Sequence, residues 1–479
     1  MSIQAGIREM MVSAILDRQL PLEEPLPSCR VLAQRLGVSR NTVVLAYQGL
    51  VDDGFIAARQ RSGFFINPNI LEKPPASRPE PAGPATGGPD WAALLHVHPA
   101  RQTNIRKPAD WQSFPYPFVY GQIDPGLFPI AAWRDCTRQA LGLKEIAEWT
   151  ADSMHSDAPG LVEQIRSRVL PRRGIWVSPD EILITLGAQN ALYLVASLLV
   201  RDRTVVAMED PGYTDMRNIF ALKTDRIRPI RVDGEGLPVD SRLDGCDLVF
   251  VTPSHQSPTT VTMPAARRRA LLHRAAEKGF VIVEDDYEFE TNYMGSPTPA
   301  LKSLDRDGRV IYIGSLSKTL FHGLRLGYLV APAPLISEAR ALRRLMMRHP
   351  PNNNQRTTAL FLALGHHEAL VRRLHRVYRG RWRAMDEALS RYLPETHHAP
   401  NFGGTSFWVR GPQGLDADML ARNALEEGIV IEPGSIHFMS DRPPRNFFRL
   451  GFSSIPEERI EPGIRLLADL VRSRKEVRA

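Results

Sequence analysis

From about Phe114 onward the chain repeats short apolar runs that end in polar or catalytic-type residues. EILITLGAQNALYLVASLLV reads as strand, glycine turn and helix. TVVAMEDPGY, CDLVFVTPSHQ, GFVIVEDDYE and RVIYIGSLSK are four more such runs. Helical segments such as AARRRALLHRAAEKG lie between several of them. This alternation predicts an α/β domain with a mostly parallel sheet, which places ligands at the strand ends.

The first 67 or so residues follow another pattern. Ile7 to Leu16 has helical apolar periodicity. After a proline-rich turn, Ser28 is placed to cap a helix CRVLAQRLG, with Leu32 and Leu36 on one face and Gly37 at its end. Ser39 is placed to cap a third helix, whose Val43, Ala46, Tyr47 and Leu50 share a face and which Gly54 ends. FIAARQRSGFFI then reads as two strands around a turn at Ser62-Gly63. Two helices on a glycine turn followed by a basic hairpin predict a winged helix-turn-helix.

Between the two patterns, Pro68 to Pro89 holds seven prolines and three glycines. Proline removes backbone donors, so this reads as an extended linker whose irregular character persists to about Asp110. The expected organisation is a winged helix-turn-helix domain over 1–69, a linker over 70–113 and an α/β domain over 114–475. At 479 residues the chain is long for one domain.

Composition changes this picture little. Hydrophobic content of 43% and charged content of 24% are ordinary for a soluble protein. A net charge of +7 permits a nucleic-acid partner without requiring one. Three scattered cysteines, Cys29, Cys136 and Cys246, argue for a reducing, cytoplasmic setting and against a disulfide framework or a zinc site. Charges interrupt the N-terminal apolar residues, which speaks against a signal peptide. Gln189 and Asn190 interrupt the longest apolar region, so a buried helix is expected there rather than a membrane span.

The chemistry of the first domain fits DNA. Ser39, Arg40, Asn41 and Thr42 open the third helix, where a recognition helix meets bases and phosphates. Ser28 and Arg30 begin the preceding helix, and Arg59, Arg61 and Gly63 lie on the wing. Residues 28–63 carry five arginines against Asp52 and Asp53. A helix-turn-helix pattern alone is weak, and a solvated helical pair would look similar; the wing and the order of elements carry the reading.

The second domain places Lys318 alone in YIGSLSKTLFHGLRLGY, just after a strand and among small residues. Desolvation there favours the neutral, nucleophilic amine that a Schiff base requires. Ser315, Ser317 and Arg325 surround it with hydroxyls and a guanidinium. Ala188 and Gln189 offer backbone amides at a helix start, which suit a phosphate. Asp285 supplies a carboxylate for a ring nitrogen, and Tyr287 a hydroxyl from the same strand end. Each feature alone is more often structural; together and in this order they are not easily coincidental.

LPSCRVLAQRLGVSRNTVVLAYQGLVDDGFIAARQRSGFFI resembles the DNA-binding domain of GntR-type regulators. YGQIDPGLFPIAAW, LITLGAQNAL, EDPGY, TPSHQSPTT, EDDYE, SLSKTLFHGLRLGY, GHHEALVRRLHRVYRGR and FFRLGFSS resemble fold-type I pyridoxal-phosphate enzymes of the class I aminotransferase family. The whole chain, from residue 1 to about 470, resembles a MocR/GabR-type transcription factor. The resemblance implies a winged helix-turn-helix plus a fold-type I domain with a smaller α+β C-terminal subdomain. It implies pyridoxal 5′-phosphate on Lys318, Asp285 at the pyridinium nitrogen, Tyr287 at the ring oxygen and Tyr213 stacked on the ring. Ala188, Gln189, Ser315, Ser317 and Arg325 would bind phosphate, and Arg449 an effector carboxylate. A structural ion pair is the plainer reading of Arg449. His255 and Gln256 lie where the family carries an asparagine facing the ring oxygen. The implied partners are promoter DNA, a small amine or amino acid effector that forms an external aldimine, and a second copy in a domain-swapped homodimer. No metal is implied and no catalytic role is assigned.

Two departures stand out. Thr260 and His322 occupy places where the family's pattern has glycine and proline. The family effector contact near Tyr213 is open between Asp215 and Arg217. Two functions compete: a regulator sensing an amino acid, ω-amino acid or amino-sulfonate such as taurine, and an active aminotransferase with an accessory DNA-binding module. The lysine serves both; the N-terminal domain and linker favour the regulator.

Overall fold

The computed structural model describes residues 2–60, 62–70, 88–143, 145–293, 298–398 and 403–476. They divide into two units, Met1–Leu95 and His96–Ala479.

The smaller unit is a winged helix-turn-helix. Its helices are α1 (Ile3–Leu16), α2 (Cys29–Leu36) and α3 (Arg40–Asp52), and its wing is β1 (Ile56–Arg59) paired antiparallel with β2 (Gly63–Ile66). Each of these three helices starts on a serine. Ser2 accepts from the Ala5 amide at 3.2 Å, Ser28 from Val31 at 3.3 Å and Ser39 from Thr42 at 3.1 Å, satisfying donors that a helix start leaves open. Ile7, Met11 and Ile15 of α1 bury a face against Val43, Ala46, Tyr47 and Leu50 of α3. Tyr47 donates its hydroxyl to the Pro27 carbonyl at 2.9 Å, so the ring fills the core without an unpaired oxygen.

The larger unit is built on strands β3 (Tyr116–Pro117), β4 (Ile182–Thr185), β5 (Val206–Asp210), β6 (Ile227–Arg231), β7 (Leu248–Val251), β8 (Val281–Asp285), β9 (Val310–Ser315), β10 (Gly327–Val330), β11 (His397–His398), β12 (Ser406–Arg410), β13 (Ile429–Val430), β14 (Glu432–Pro433) and β15 (Phe447–Gly451). Seven of them form one sheet in the order β4-β10-β9-β8-β7-β5-β6. Only β10 runs against its neighbours. The inner strands open as near-continuous apolar runs because both faces are covered, and turn polar at the ends of β5, β8 and β9. Leu248 and Phe250 of β7 pack with the helix Gly187–Leu199, while Val249 and Val251 pack with the helix Ala265–Lys278. Truncating a fully buried ring such as Phe250 costs about 3–5 kcal/mol.

A smaller subdomain completes this unit. It has an antiparallel sheet in the order β11-β12-β15-β14, with the helices Ala417–Glu426 and Glu457–Glu476. The 27-residue helix His366–Tyr392 packs along Glu457–Glu476. Residues 96–113, which composition assigns to the linker, belong to this unit. The Gln102 side-chain amide donates to the Asn218 carbonyl at 2.9 Å, and Trp111 is buried with Val119 and Val430. Among the described residues no helix is long and apolar enough to cross a membrane. Nor, among them, do histidine, cysteine and carboxylate side chains gather into a metal-binding group.

Candidate functional site

The sheet brings distant segments to one edge. β4 ends just before Gly187, β5 before the loop to Tyr213, β8 at Asp285, β9 at Ser315, and β10 begins just after Arg325. Their ends surround a cavity of about 350 Å³, which Ile105, Tyr120 and Arg449 also line. Two glycines hold it open with backbone that other residues rarely adopt. Gly121 has φ +71°, and a Cβ there would stand 2.8 Å from Lys318 Nζ. Gly187 has φ +73°, and its Cβ would stand 3.1 Å from Arg325 Nη2.

Lys318 lies in the cavity wall with Nζ 4.7 Å from the Tyr120 ring centre and 5.7 Å from that of Tyr287. Burial lowers its amine from the ordinary lysine range, against the pull of Glu288. Asp285 is buried, and its Oδ1 has no hydrogen-bond partner among the described residues. Burial, then the charge of Asp286, pushes its carboxyl up to about 8. Asp286 is held differently. It accepts from Arg173 at 2.7 Å and from the Tyr312 hydroxyl at 2.8 Å, so it serves the core.

At the phosphate-type end, Ala188 and Gln189 sit in the first turn of Gly187–Leu199, a helix whose N-cap, Leu186, provides no side-chain bond to its amides. Arg325 adopts a left-handed conformation, φ +53°, and donates to the Leu186 carbonyl at 3.3 Å. Ser315 lines the cavity with no side-chain partner among the described residues. Ser317 also lines it, but its hydroxyl donates to the Leu326 carbonyl and accepts from the Leu326 amide, both at 3.1 Å. That exchange fixes the turn carrying Lys318 and Arg325.

Tyr213 donates its hydroxyl to Gln189 Oε1 at 2.9 Å, with Asp215 at 3.3 Å. Asp215 therefore reaches the cavity, whereas Arg217 turns to the Phe438 carbonyl at 2.9 Å. Tyr287 donates to the His255 carbonyl at 2.9 Å. The structure does not bring the His255 side chain to the cavity wall. Gln256 is occupied by backbone groups of Pro211, Ser257 and Thr259, and Ser257 lines the cavity instead. Thr260, with φ +63°, is buried outside the wall, its hydroxyl donating to the Thr259 carbonyl at 2.6 Å.

Arg449 is buried on β15 and forms an ion pair with Glu432 at 2.5 Å, while its guanidinium stacks 3.6 Å from the Tyr120 ring centre. His437 Nε2 approaches the same Glu432 oxygen at 2.9 Å. Burial alone would raise the Glu432 carboxyl, but Arg449 holds it below the usual range. Tyr120 and Glu432 received no role in the sequence reading. Tyr120 lies in YGQIDPGLFPIAAW, a stretch with family likeness but no local chemical signal. Glu432 follows a short apolar run with nothing to mark its partner.

In the smaller unit, Arg30, Arg40 and Asn41 are exposed, and no side-chain partner holds them among the described residues. Thr42 shares a 2.7 Å hydrogen bond with the Ser39 hydroxyl. The Arg59 guanidinium lies 4.2 Å from the Phe65 ring centre, and Gly63 has φ +102° at the wing turn. Arg61 lies outside the described residues. Val44 and Leu45 of α3 are exposed at 40% and 56%, apolar side chains of the kind that meet thymine methyls.

Residues 3–66 match the bacterial regulatory proteins, gntR family, and residues 145–467 match aminotransferase class I and II. HTH-type transcriptional regulator TauR of Rhodobacter capsulatus is 44% identical over 98% of this chain and 97% of its own. The probable rhizopine catabolism regulatory protein MocR of Rhizobium meliloti is 29% identical over 96% and 92%. The crystal structure of LysN, an α-aminoadipate aminotransferase of Thermus thermophilus complexed with N-(5′-phosphopyridoxyl)-L-leucine, has a TM-score of 0.70 at 28% identity, covering 81% of this chain and 97% of that one. The fold and site are thus those of a DNA-binding regulator fused to an aminotransferase-like domain of the pyridoxal-phosphate-dependent type. The chain belongs to the gntR family of bacterial transcriptional regulators, with the aminotransferase-like domain of its MocR-type members.

Proposed function

We propose that the cavity holds pyridoxal 5′-phosphate and reads a small primary amine that also carries an anionic group. The observation that carries this is the convergence of three unlike groups on one 350 Å³ cavity: the buried Lys318 amine, the unpartnered Asp285 Oδ1 and the cradle around Arg325. When bound, the cofactor supplies an aldehyde that reacts reversibly with primary amines. Lys318 is the residue for that aldehyde, Asp285 for the ring nitrogen and Tyr287 for the ring oxygen. Tyr213 is the residue for the ring face. The Ala188 and Gln189 amides, Ser315 and Arg325 are the residues for the phosphate, with Ser317 bracing the turn. A cationic ring nitrogen would give Asp285 the counter-charge it lacks and favour its ionised form.

Arg449 is proposed as the effector's clamp. Its Nε has no partner, so a donor remains after the pair with Glu432 is made. The effector is then an amino acid, an ω-amino acid or an amino-sulfonate such as taurine. On DNA, Arg40, Asn41 and Thr42 are proposed to read bases, with Ser28, Arg30, Ser39, Arg59, Arg61 and Gly63 positioning the phosphate backbone. The proposed domains are 1–69 and 114–475, joined through 70–113, of which 96–113 packs on the larger unit. The active form is proposed as a domain-swapped homodimer.

Titrating cofactor-loaded protein with amines tests the reading, followed by visible absorbance and by DNA binding. A matched amine without its acidic group should change both less than the acid-bearing amine, and Arg449→Ala should erase the difference. Steady-state turnover of amino donors and keto acids at about 1 per second or more would favour the aminotransferase reading instead.

A further inference from the structure

His322 opens a short turn, His322–Leu324, directly before Arg325, and lines the cavity beside Ser315, Ser317 and Lys318. Its Nε2 is buried, and no hydrogen-bond partner reaches it among the described residues. An unpaired buried nitrogen costs about 1–3 kcal/mol, a cost that a proline at this place would not carry. The charged groups acting on the ring are Lys318 and Arg325 from its own turn and Lys107 from the segment before β3. All three are basic. Burial first, then these basic groups, push the imidazole down to about 3, so the ring is neutral at physiological pH before an anion is bound. A ring nitrogen set among three basic groups and lacking a partner among the described residues calls for an acceptor with negative charge.

We propose that His322 is a ligand of the cofactor's phosphate ester, donating Nε2–H to a phosphate oxygen, and that the ring takes up a proton from solvent when the phosphate is seated. This rests on the cofactor reading above. The amides of Ala188 and Gln189, Ser315 and Arg325 are donors whose state does not change near neutral pH. His322 adds a donor that does. A group whose proton affinity rises on binding makes binding tighter as pH falls, by at most tenfold per pH unit for one proton. The phosphate's own titration near pH 6 acts in the opposite sense and is common to all variants, so comparison between variants isolates the histidine.

The test measures pyridoxal 5′-phosphate binding to the full-length protein by equilibrium dialysis at pH 6, 7 and 8, for wild type, His322→Gln and His322→Phe. Pyridoxal, which lacks the phosphate, is the control probe, and ³¹P NMR reports the bound phosphate. His322→Gln retains an N–H donor but cannot titrate. The wild-type advantage over it should grow about tenfold from pH 8 to pH 6. His322→Phe should bind on the order of tenfold more weakly even at pH 8, and pyridoxal binding should be unchanged by either substitution. The proposal is overturned if wild type and His322→Gln share one pH dependence and one ³¹P shift. It is overturned equally if both substitutions weaken pyridoxal as much as its phosphate ester, which would mark a structural role. Failure of wild type to bind pyridoxal 5′-phosphate at any pH would sink the cofactor reading itself, an outcome distinct from both.

Discussion

Glu432 stands directly across the β14–β15 ladder from Arg449, and the sheet register itself makes their ion pair. The guanidinium proposed to grip an effector is therefore already held from behind by a carboxylate, with Tyr120 stacked against its plane. Such a clamp is oriented before any effector arrives, which lowers the ordering cost of binding.

Breaking that pair should be expensive. Glu432→Ala leaves Arg449 buried without a counter-charge, and about 3–5 kcal/mol of stability should be lost in urea denaturation. Arg449→Ala should cost a similar amount. The double variant Glu432→Leu with Arg449→Met should cost clearly less than the sum of the two alanine changes. Simple additivity would mean that the two side chains do not act as a unit.

Asp285 gives a pH signature. In cofactor-free protein its carboxyl is pushed up to about 8, against an ordinary value of 3.8. The folded state then binds its proton more tightly than the unfolded state does. Its contribution to stability is complete below about pH 4 and is lost as pH rises through about 8, at up to ~1.4 kcal/mol per pH unit. Asp285→Asn should flatten the stability profile across that window, relative to wild type, in denaturation series at pH 5, 6, 7 and 8. Parallel profiles would show that the carboxyl is already ionised in the folded protein.

Lys318 can be tested by mass. Wild-type protein loaded with pyridoxal 5′-phosphate and reduced with borohydride should carry the cofactor covalently, and Lys318→Ala should not. The variant should keep its fold, since removing one amine leaves the apolar clusters intact. Covalent retention by Lys318→Ala at the wild-type level would refute the assignment.

On DNA, Arg40→Ala should cost about 1–3 kcal/mol on the cognate site and relax its base preference. Arg59→Ala should weaken binding more uniformly across sequences and reduce the salt slope by about 0.9 if one phosphate contact is lost. Equal effects of Arg40→Ala on cognate and random duplexes would remove α3 from base reading.

Much of this protein is written locally. Serine caps, glycine stops and helical periodicity mark α2 and α3, and periodicity from Ile7 marks α1, because those interactions span only a few residues; the start of α1 at Ile3 on the Ser2 cap precedes that periodicity, and only the structure shows it. Apolar strands ending in Asp285 and Ser315, with Lys318 just beyond, mark the cavity edge, because a parallel sheet gathers such ends on one side. Other features depend on segments far apart in the chain. EDD offers two adjacent aspartates, and only packing gives Asp286 the guanidinium of Arg173 while leaving Asp285 Oδ1 open to the cavity. Tyr120 meets Lys318, and Glu432 meets Arg449, through chain crossing and strand register, neither of which leaves a periodic trace in the sequence. Residues 96–113 look like linker because their composition is polar and irregular. They pack nonetheless, through Trp111 and the side chain of Gln102, contacts whose partners lie elsewhere in the chain.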